Sequence, residues 1–353
     1  MGYRYIGSKD KLSATLIAKI RHKCPTATSV IDLMAGTGLF SLALRRENYR
    51  VIASDVMTYS YHHLVVNLKL NQAPKFEGLY SLVGFGENAY TRVLEYLNHL
   101  QPISGFFTRE YSPDGCPIAG CRPRMYFTSA NASKIDAIRL TIKEWHEHKL
   151  ISDIEHSLLL HDLIMAANDI ANIAGTYGHY LSHFVQRSMD DIRLSPSVFD
   201  KNNNTEGHEI RRGYAEVISS SLSGDVCYID PPYIKRQYAA NYHILETLAR
   251  EDEPEAIGES GLRPWRDQYS NFCSKVRIRS AFDLIIRNVH CNNIFISYSE
   301  DGLLPIEVLM DFLQQYGSVE LSKIQYKRFR SNNSQKELEL TEYLIYLNKM
   351  YES

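Results

Sequence analysis

The run Thr28-Ser29-Val30-Ile31-Asp32-Leu33-Met34-Ala35-Gly36-Thr37-Gly38 decides how the rest of the chain is read. Its first half is apolar and β-branched without polar alternation, which predicts a strand buried on both faces. The two glycines predict a tight turn at the strand's carboxyl end, where backbone can pass close to a ligand. Residues 39–46 then carry helical periodicity. Residues 49–55 predict a second short strand ending on Asp55, and residues 59–70 a second helix. Upstream, Leu12, Leu16, Ile17 and Ile20 space an amphipathic helix over 10–21. This β-α-β-α opening predicts a parallel α/β sheet, Rossmann-like, with helices on both faces.

The middle of the chain changes character. Residues 74–200 are mainly helical in pattern, clearest at 133–147 and 153–172, with a loop rich in Pro, Gly and Cys over 109–127. Strand patterns resume at 226–230 and 293–298. Residues 319–329 and 343–347 predict a terminal hairpin around the polar stretch 331–336. The expected organisation is a core domain of 1–73 and 201–353 interrupted by an inserted helical domain of 74–200.

The 353 residues are 44% hydrophobic and 23% charged, an ordinary globular balance. No apolar run approaches the roughly 18–20 residues that span a bilayer, and a soluble, cytoplasmic protein is expected. Cys116 and Cys121 are the closest cysteines, but no second pair stands at ligand spacing, so no metal site is expected. A net charge of −2 does not announce a nucleic-acid binder, although a local basic face can still meet phosphates. Two stretches could form one: Arg122, Arg124, Lys134, Arg139 and Lys143, and Lys323, Lys327, Arg328 and Arg330 with Tyr326 and Phe329 between them.

The glycine turn is not Gly-x-Gly-x-x-Gly, and no Gly-Lys-Ser/Thr follows, so a dinucleotide or phosphate cradle is disfavoured. Asp55 is placed to accept hydrogen bonds from ribose hydroxyls. A carboxylate at Asp32 would offset the charge of a cationic ligand such as a methylsulfonium.

Asp230-Pro231-Pro232-Tyr233 closes the strand at 226–230. The two prolines stiffen the turn and lack N–H donors, leaving the Pro231 carbonyl available as an acceptor. An exocyclic amino nitrogen is a poor nucleophile because its lone pair is delocalised into the ring. A carboxylate at Asp230 and a carbonyl at Pro231, accepting both N–H groups, would localise that lone pair for attack on an activated methyl. Tyr233 offers a stacking face for a base taken out of its helix.

These motifs, in this order, resemble those of the Dam-like, alpha-group DNA adenine-N6 methyltransferases. Asp230-Pro231-Pro232-Tyr233 looks like their catalytic motif, the glycine turn like their cofactor motif, and Arg4-Tyr5-Ile6-Gly7-Ser8-Lys9 like their N-terminal motif. The resemblance runs from Tyr3 to about Tyr346. It implies S-adenosylmethionine held by Tyr5, Ile6, Gly7, Lys9, Asp32, Ala35, Gly36, Thr37, Gly38, Asp55, Val56 and Asp230. It implies Asp230, Pro231, Pro232 and Tyr233 as catalytic residues, double-stranded DNA as substrate, and an insert that reads sequence. Such an enzyme is expected to act as a monomer, with any cognate restriction endonuclease acting independently. Residues Arg122, Arg124, Lys134, Tyr238, Tyr242, His243, Lys327 and Arg328 are the expected DNA contacts.

The chain departs from the family pattern twice. Met34 stands where an aromatic is usual, an apolar exchange of little consequence. Tyr214 stands where relatives carry an acid that contacts the cofactor's adenine. Either Glu216 substitutes, or backbone holds the adenine, or the alignment shifts by a residue or two. Methylation of cytosine N4 or of RNA adenine, and a non-catalytic DNA-binding role, stay open as alternatives. Asp rather than Ser ahead of Pro-Pro-Tyr favours adenine.

Overall fold

A computed structural model of the chain describes residues 9, 12–86, 88–118, 120, 122–327 and 339–350, the side chains of 325–327, 339 and 340 excepted. The chain divides into two compact units. One comprises Lys69–Asn202 and Ala239–Asp267, and the other Gly7–Leu68, Asn203–Tyr238 and Gln268–Ser353. The unit built on the insertion thus also takes the segment 239–267, which the sequence reading left with the core domain.

The second unit is a mixed α/β fold around one seven-stranded sheet. Its strands are β1 (Ser29–Asp32), β2 (Arg50–Asp55), β3 (Glu209–Arg212), β4 (Val226–Ile229), β5 (Asn293–Ser299), β6 (Gly317–Lys327) and β7 (Glu339–Lys349), in the order β3-β2-β1-β4-β5-β7-β6. All pairings from β3 through β5 are parallel, and β7 runs antiparallel to both β5 and β6. This is the Rossmann-like methyltransferase arrangement that the sequence predicts.

The sheet is covered on both faces, which explains the unbroken apolar runs of β1 and β4. Val30, Val51, Val226 and Tyr228 pack with Leu16 and Ile20 of α1 (Ser13–Lys23), Phe40 and Leu44 of α2 (Leu39–Arg46), and Leu64 and Leu68 of α3 (Thr58–Lys69). Ile31, Cys227, Ile229, Ile294 and Ile296 point the other way, onto Phe282, Ile285 and Leu309. Alternate residues of one strand therefore serve opposite cores. Strand β1 lies between β2 and β4, so the chain changes winding direction there, and ligands of such sheets bind outside the carboxyl ends at that point.

The first unit is largely helical, with Ala89–His99, Phe106–Tyr111, Ser129–Glu147, Asp153–Ile170 and His243–Arg250. The helix Phe106–Tyr111 falls partly within the stretch read as loop. The Asp136 carboxylate accepts hydrogen bonds from the N–H groups of Gly105, Phe107 and Thr108 at 2.8–3.0 Å, capping a turn that the local sequence does not cap. Among the described residues no helix is long and apolar enough to cross a membrane.

Candidate active site

The glycine turn leaves β1 with Gly36 at φ 53° and Gly38 at φ 72°, the left-handed region that glycine adopts without strain. Gly38 opens α2, and a Cβ there would stand 2.9 Å from Asn67 Nδ2 and 3.0 Å from Leu64 Cδ2. The Asn67 amide donates to the Thr37 carbonyl at 3.2 Å, and the Ala35 N–H donates to Ser54 O at 3.0 Å. These contacts fix the turn against α3 and β2.

Asp55 ends β2 and receives the N–H of Gly36 at Oδ2 and the N–H of Met57 at Oδ1, both at 2.9 Å. Its carboxylate therefore ties the glycine turn to the end of β2, and it is half-buried. Val56 is half-buried beside it, and its carbonyl accepts from Gln268 Nε2 at 3.0 Å.

Asp32 corrects the sequence reading. It is 1% exposed, and its carboxylate accepts the Ser41 hydroxyl at 2.6 Å. Burial, with Asp230 and Asp55 adding to it, pushes its carboxyl up to about 7 against the Ser41 hydrogen bond. The side chain ties the end of β1 to α2.

Asp230 follows β4, two residues past the Tyr228 that pairs with Asp32 in register, so it emerges beside the glycine turn. Its Oδ1 lies 3.0 Å from the Lys9 ammonium. Burial raises the Asp230 carboxyl above its ordinary value, and Lys9 opposes this. Burial in turn disfavours the charged Lys9, but Asp230 and then Glu342 outweigh it and hold the ammonium above the ordinary lysine value. Pro231 is buried and Pro232 half-buried, and among the described residues no donor reaches the Pro231 carbonyl.

The Tyr233 ring is half-buried, 5.7 Å from the Tyr298 ring and 5.7 Å from the Lys9 ammonium. Its hydroxyl donates to Glu342 Oε1 at 3.2 Å, and its carbonyl accepts the Leu303 N–H at 2.9 Å. Glu342 was not read from the sequence. It stands on β7 in phase with Leu344 and Tyr346, whose side chains join the apolar core, so the signal available was a charge on a strand's inward face.

Beside the missing acid, Tyr214 is half-buried and precedes the short helix Ala215–Ile218, just after β3, which pairs Arg212 with Asp55. Glu216 lies on that helix, half-buried, with Oε1 accepting from Asn271 Nδ2 at 3.1 Å. This places an acid at the same edge of the sheet, two residues beyond the expected position.

Three expected DNA contacts are overturned by burial. Arg124 is fully buried, with its guanidinium 2.8 Å from Glu110 Oε2 and donating to the carbonyls of Glu110, Ala256, Gly258 and Glu259. Tyr242 and His243 are fully buried as well, and His243 Nε2 donates to the Tyr177 carbonyl at 3.0 Å. Burial pulls the His243 imidazole down to about 3, so it is neutral and structural. Arg139 is likewise buried, 3.2 Å from Glu253. By contrast Arg122 is exposed, Tyr238 is half-buried, and Lys134 is half-buried with its ammonium on the Leu100 carbonyl. Lys327 ends β6, and only its backbone is described. Tyr5, Ile6, Gly7 and Arg328 lie outside the described residues.

The family model described as D12 class N6 adenine-specific DNA methyltransferase matches residues 5–311. The chain is 36% identical to the Type II methyltransferase M.FokI of Planomicrobium okeanokoites, covering 98% of this chain and 52% of that relative. It is 32% identical to the Type II methyltransferase M.NlaIII of Neisseria lactamica, covering 98% of this chain and 99% of that relative. It is 31% identical to the modification methylase StsI of Streptococcus sanguinis, covering 98% of this chain and 52% of that relative. The chain thus spans about half the length of two of these relatives and nearly all of the third. It belongs to the D12 class N6 adenine-specific DNA methyltransferase family, enzymes whose class reaction places a methyl group on adenine in DNA.

Proposed function

We propose that the chain transfers a methyl group from S-adenosylmethionine to the N6 amino group of an adenine turned out of duplex DNA, within a specific sequence. The observation that carries this is the Asp230 carboxylate at the end of β4, beside the glycine turn of β1 and 3.0 Å from the Lys9 ammonium, which opposes the burial that favours its protonated form.

The donor set fits an adenosyl sulfonium. The turn of Ala35, Gly36, Thr37 and Gly38 admits close approach because Gly38 has no Cβ to meet Asn67. Asp55 and Val56 stand at the end of β2, where a carboxylate suits ribose hydroxyls. Lys9 would line the same pocket, Tyr5, Ile6 and Gly7 stay as cofactor residues on the resemblance alone, and Glu216 is the acid two residues beyond the expected adenine position. S-adenosylmethionine supplies an electrophilic methyl group. Asp230 and the Pro231 carbonyl accept the two N–H groups of the target amine and draw its lone pair out of the ring. Tyr233 stacks on the displaced base, and Pro232 keeps the turn stiff. Extruding the base costs a few kcal/mol, which stacking of roughly 1–3 kcal/mol per base helps to offset. The proton leaves the methylated nitrogen for solvent, since that nitrogen is now acidic.

In this reading residues 74–200 form the target-recognition domain. Arg122, Lys134, Tyr238, Lys327 and Arg328 remain the candidates for DNA contact. The names of the relatives, Type II methyltransferases and a modification methylase, support a modification enzyme, and we infer that any cognate restriction endonuclease acts independently of it. We place it in the cytoplasm with its DNA, as a monomer. The test is purified protein with tritiated S-adenosylmethionine and mixed-sequence duplex DNA. Label is expected in N6-methyladenine, and D230A abolishes it while leaving some cofactor binding. Label in cytosine, or label only with RNA, overturns the proposal.

A further inference from the structure

We propose that Glu342 is a positioning residue for methyl transfer, dividing the Lys9 ammonium with Asp230 and fixing the ring of Tyr233. This rests on the roles given to Asp230 and Tyr233 above. Glu342 is 6% exposed on β7, with Oε1 3.5 Å from Lys9 Nζ and accepting the Tyr233 hydroxyl at 3.2 Å. Its Oε2 is buried and has no hydrogen-bond partner among the described residues. A buried carboxylate oxygen left bare is costly. A strand position that only packed would carry an apolar residue, as Leu344 does two residues on. The cost is explained if the carboxylate serves the site it faces.

Asp230 has two demands on it. It must stay ionised although burial favours its protonated form, and it must keep acceptor capacity for the N–H of the target amine. Lys9 meets the first demand and competes with the second. A second carboxylate on the same ammonium moderates that competition, because Lys9 is drawn toward Glu342 as well. The groups facing Glu342 are Lys9, Asp230 and Tyr233, with Tyr228 next to Lys9. Burial raises the Glu342 carboxyl, with Asp230 adding to this and Lys9 opposing it. Both carboxylates face the one ammonium, Asp230 at 3.0 Å and Glu342 at 3.5 Å.

The test is E342Q, which keeps an acceptor for the Tyr233 hydroxyl and removes the charge. Its kcat on duplex DNA is expected to fall on the order of tenfold to a hundredfold. Its KM for DNA should stay within about twofold, as expected when an interaction made only in the transition state is lost. The acid limb of its kcat profile moves to lower pH, because a titrating neighbour of Asp230 is gone. E342D, which keeps the charge, retains the acid limb and serves if E342Q does not fold. D230A is assayed in parallel. If D230A is inactive while E342Q matches wild type in kcat and pH profile, Glu342 has no such role. The same holds if E342D, where E342Q does not fold, loses the acid limb. If D230A still turns over, the reading of Asp230 fails first and the role of Glu342 falls with it.

Discussion

The Lys9 ammonium sits 3.0 Å from Asp230 Oδ1, so the carboxylate assigned to the target amine already has a cation of its own. The pair is buried, Lys9 to 5% and Asp230 to 17% side-chain exposure, where such a contact is little screened by salt. Lys9 opposes the burial that lifts the Asp230 carboxyl, and removing it leaves burial unopposed.

Lys9→Met should therefore move the acid limb of the kcat profile to higher pH, by about 1–3 units, the usual effect of one close opposite charge. Asp230 then carries a proton over more of the working range and cannot accept the amine's N–H. Single-turnover rates from pH 5 to 9 would check this. An acid limb that stays put, or moves down, contradicts the assignment.

Asp32→Asn separates a brace from a ligand. The Asp32 carboxyl titrates near 7 in the fold against an ordinary value of 3.8. The folded state thus holds an extra proton between those values. Stability from this group is complete below the ordinary value and is lost as pH rises through about 7. Asparagine keeps an acceptor for Ser41 and does not titrate. Its stability should gain on that of the wild type from pH 4 to pH 8, by about 4 kcal/mol at most, read as a rise in relative Tm. Cofactor affinity, measured by calorimetry, should change little, whereas a direct contact with the sulfonium would cost tenfold or more.

Gly38→Ala should harm both stability and cofactor binding. Alanine meets the left-handed φ of 72° and a contact of 2.9 Å with Asn67 Nδ2. The left-handed conformation alone costs about 1–2 kcal/mol. Urea denaturation reads the stability loss and equilibrium dialysis the binding loss. A variant with wild-type values in both would mean the turn does not hold this geometry.

Two arginines two residues apart should behave oppositely. Arg124→Ala strands Glu110 in the interior and should destabilise the fold by about 3–5 kcal/mol. Arg122→Ala, at an exposed position, should leave Tm unchanged. If Arg122 contacts a phosphate, it should lower the slope of log K against log salt for DNA binding by about 1. An unchanged slope removes Arg122 from the contact set.

The buried parallel strands were legible because burial on both faces writes itself as an apolar run, as in Val226-Cys227-Tyr228-Ile229. Strand β3 was not, because its Glu-Ile-Arg-Arg sequence satisfies charge locally: Glu209 takes Arg50 at 2.6 Å and Arg211 at 2.9 Å. The glycine turn and the Asp230 tetrapeptide were legible because their chemistry is carried by neighbours in sequence. Arg124 was misread because a guanidinium that caps buried carbonyls looks the same, residue by residue, as one that faces a phosphate. Tyr242 and His243 failed for a similar reason: both are fully buried, and the His243 ring packs against Tyr111 and Tyr126 within its own unit. Glu342 escaped notice because its partner, Lys9, comes from the opposite end of the chain.

That last pairing has a bearing on biosynthesis. Lys9, Asp230 and Glu342 are translated in that order, and Glu342 lies on the last described strand of the sheet. A ribosome must pass codon 342 before the three charges can meet. Nascent or prematurely terminated chains would carry the cofactor turn and the tetrapeptide without the balanced ammonium between them. Competence at this site would then wait on the strand that carries Glu342.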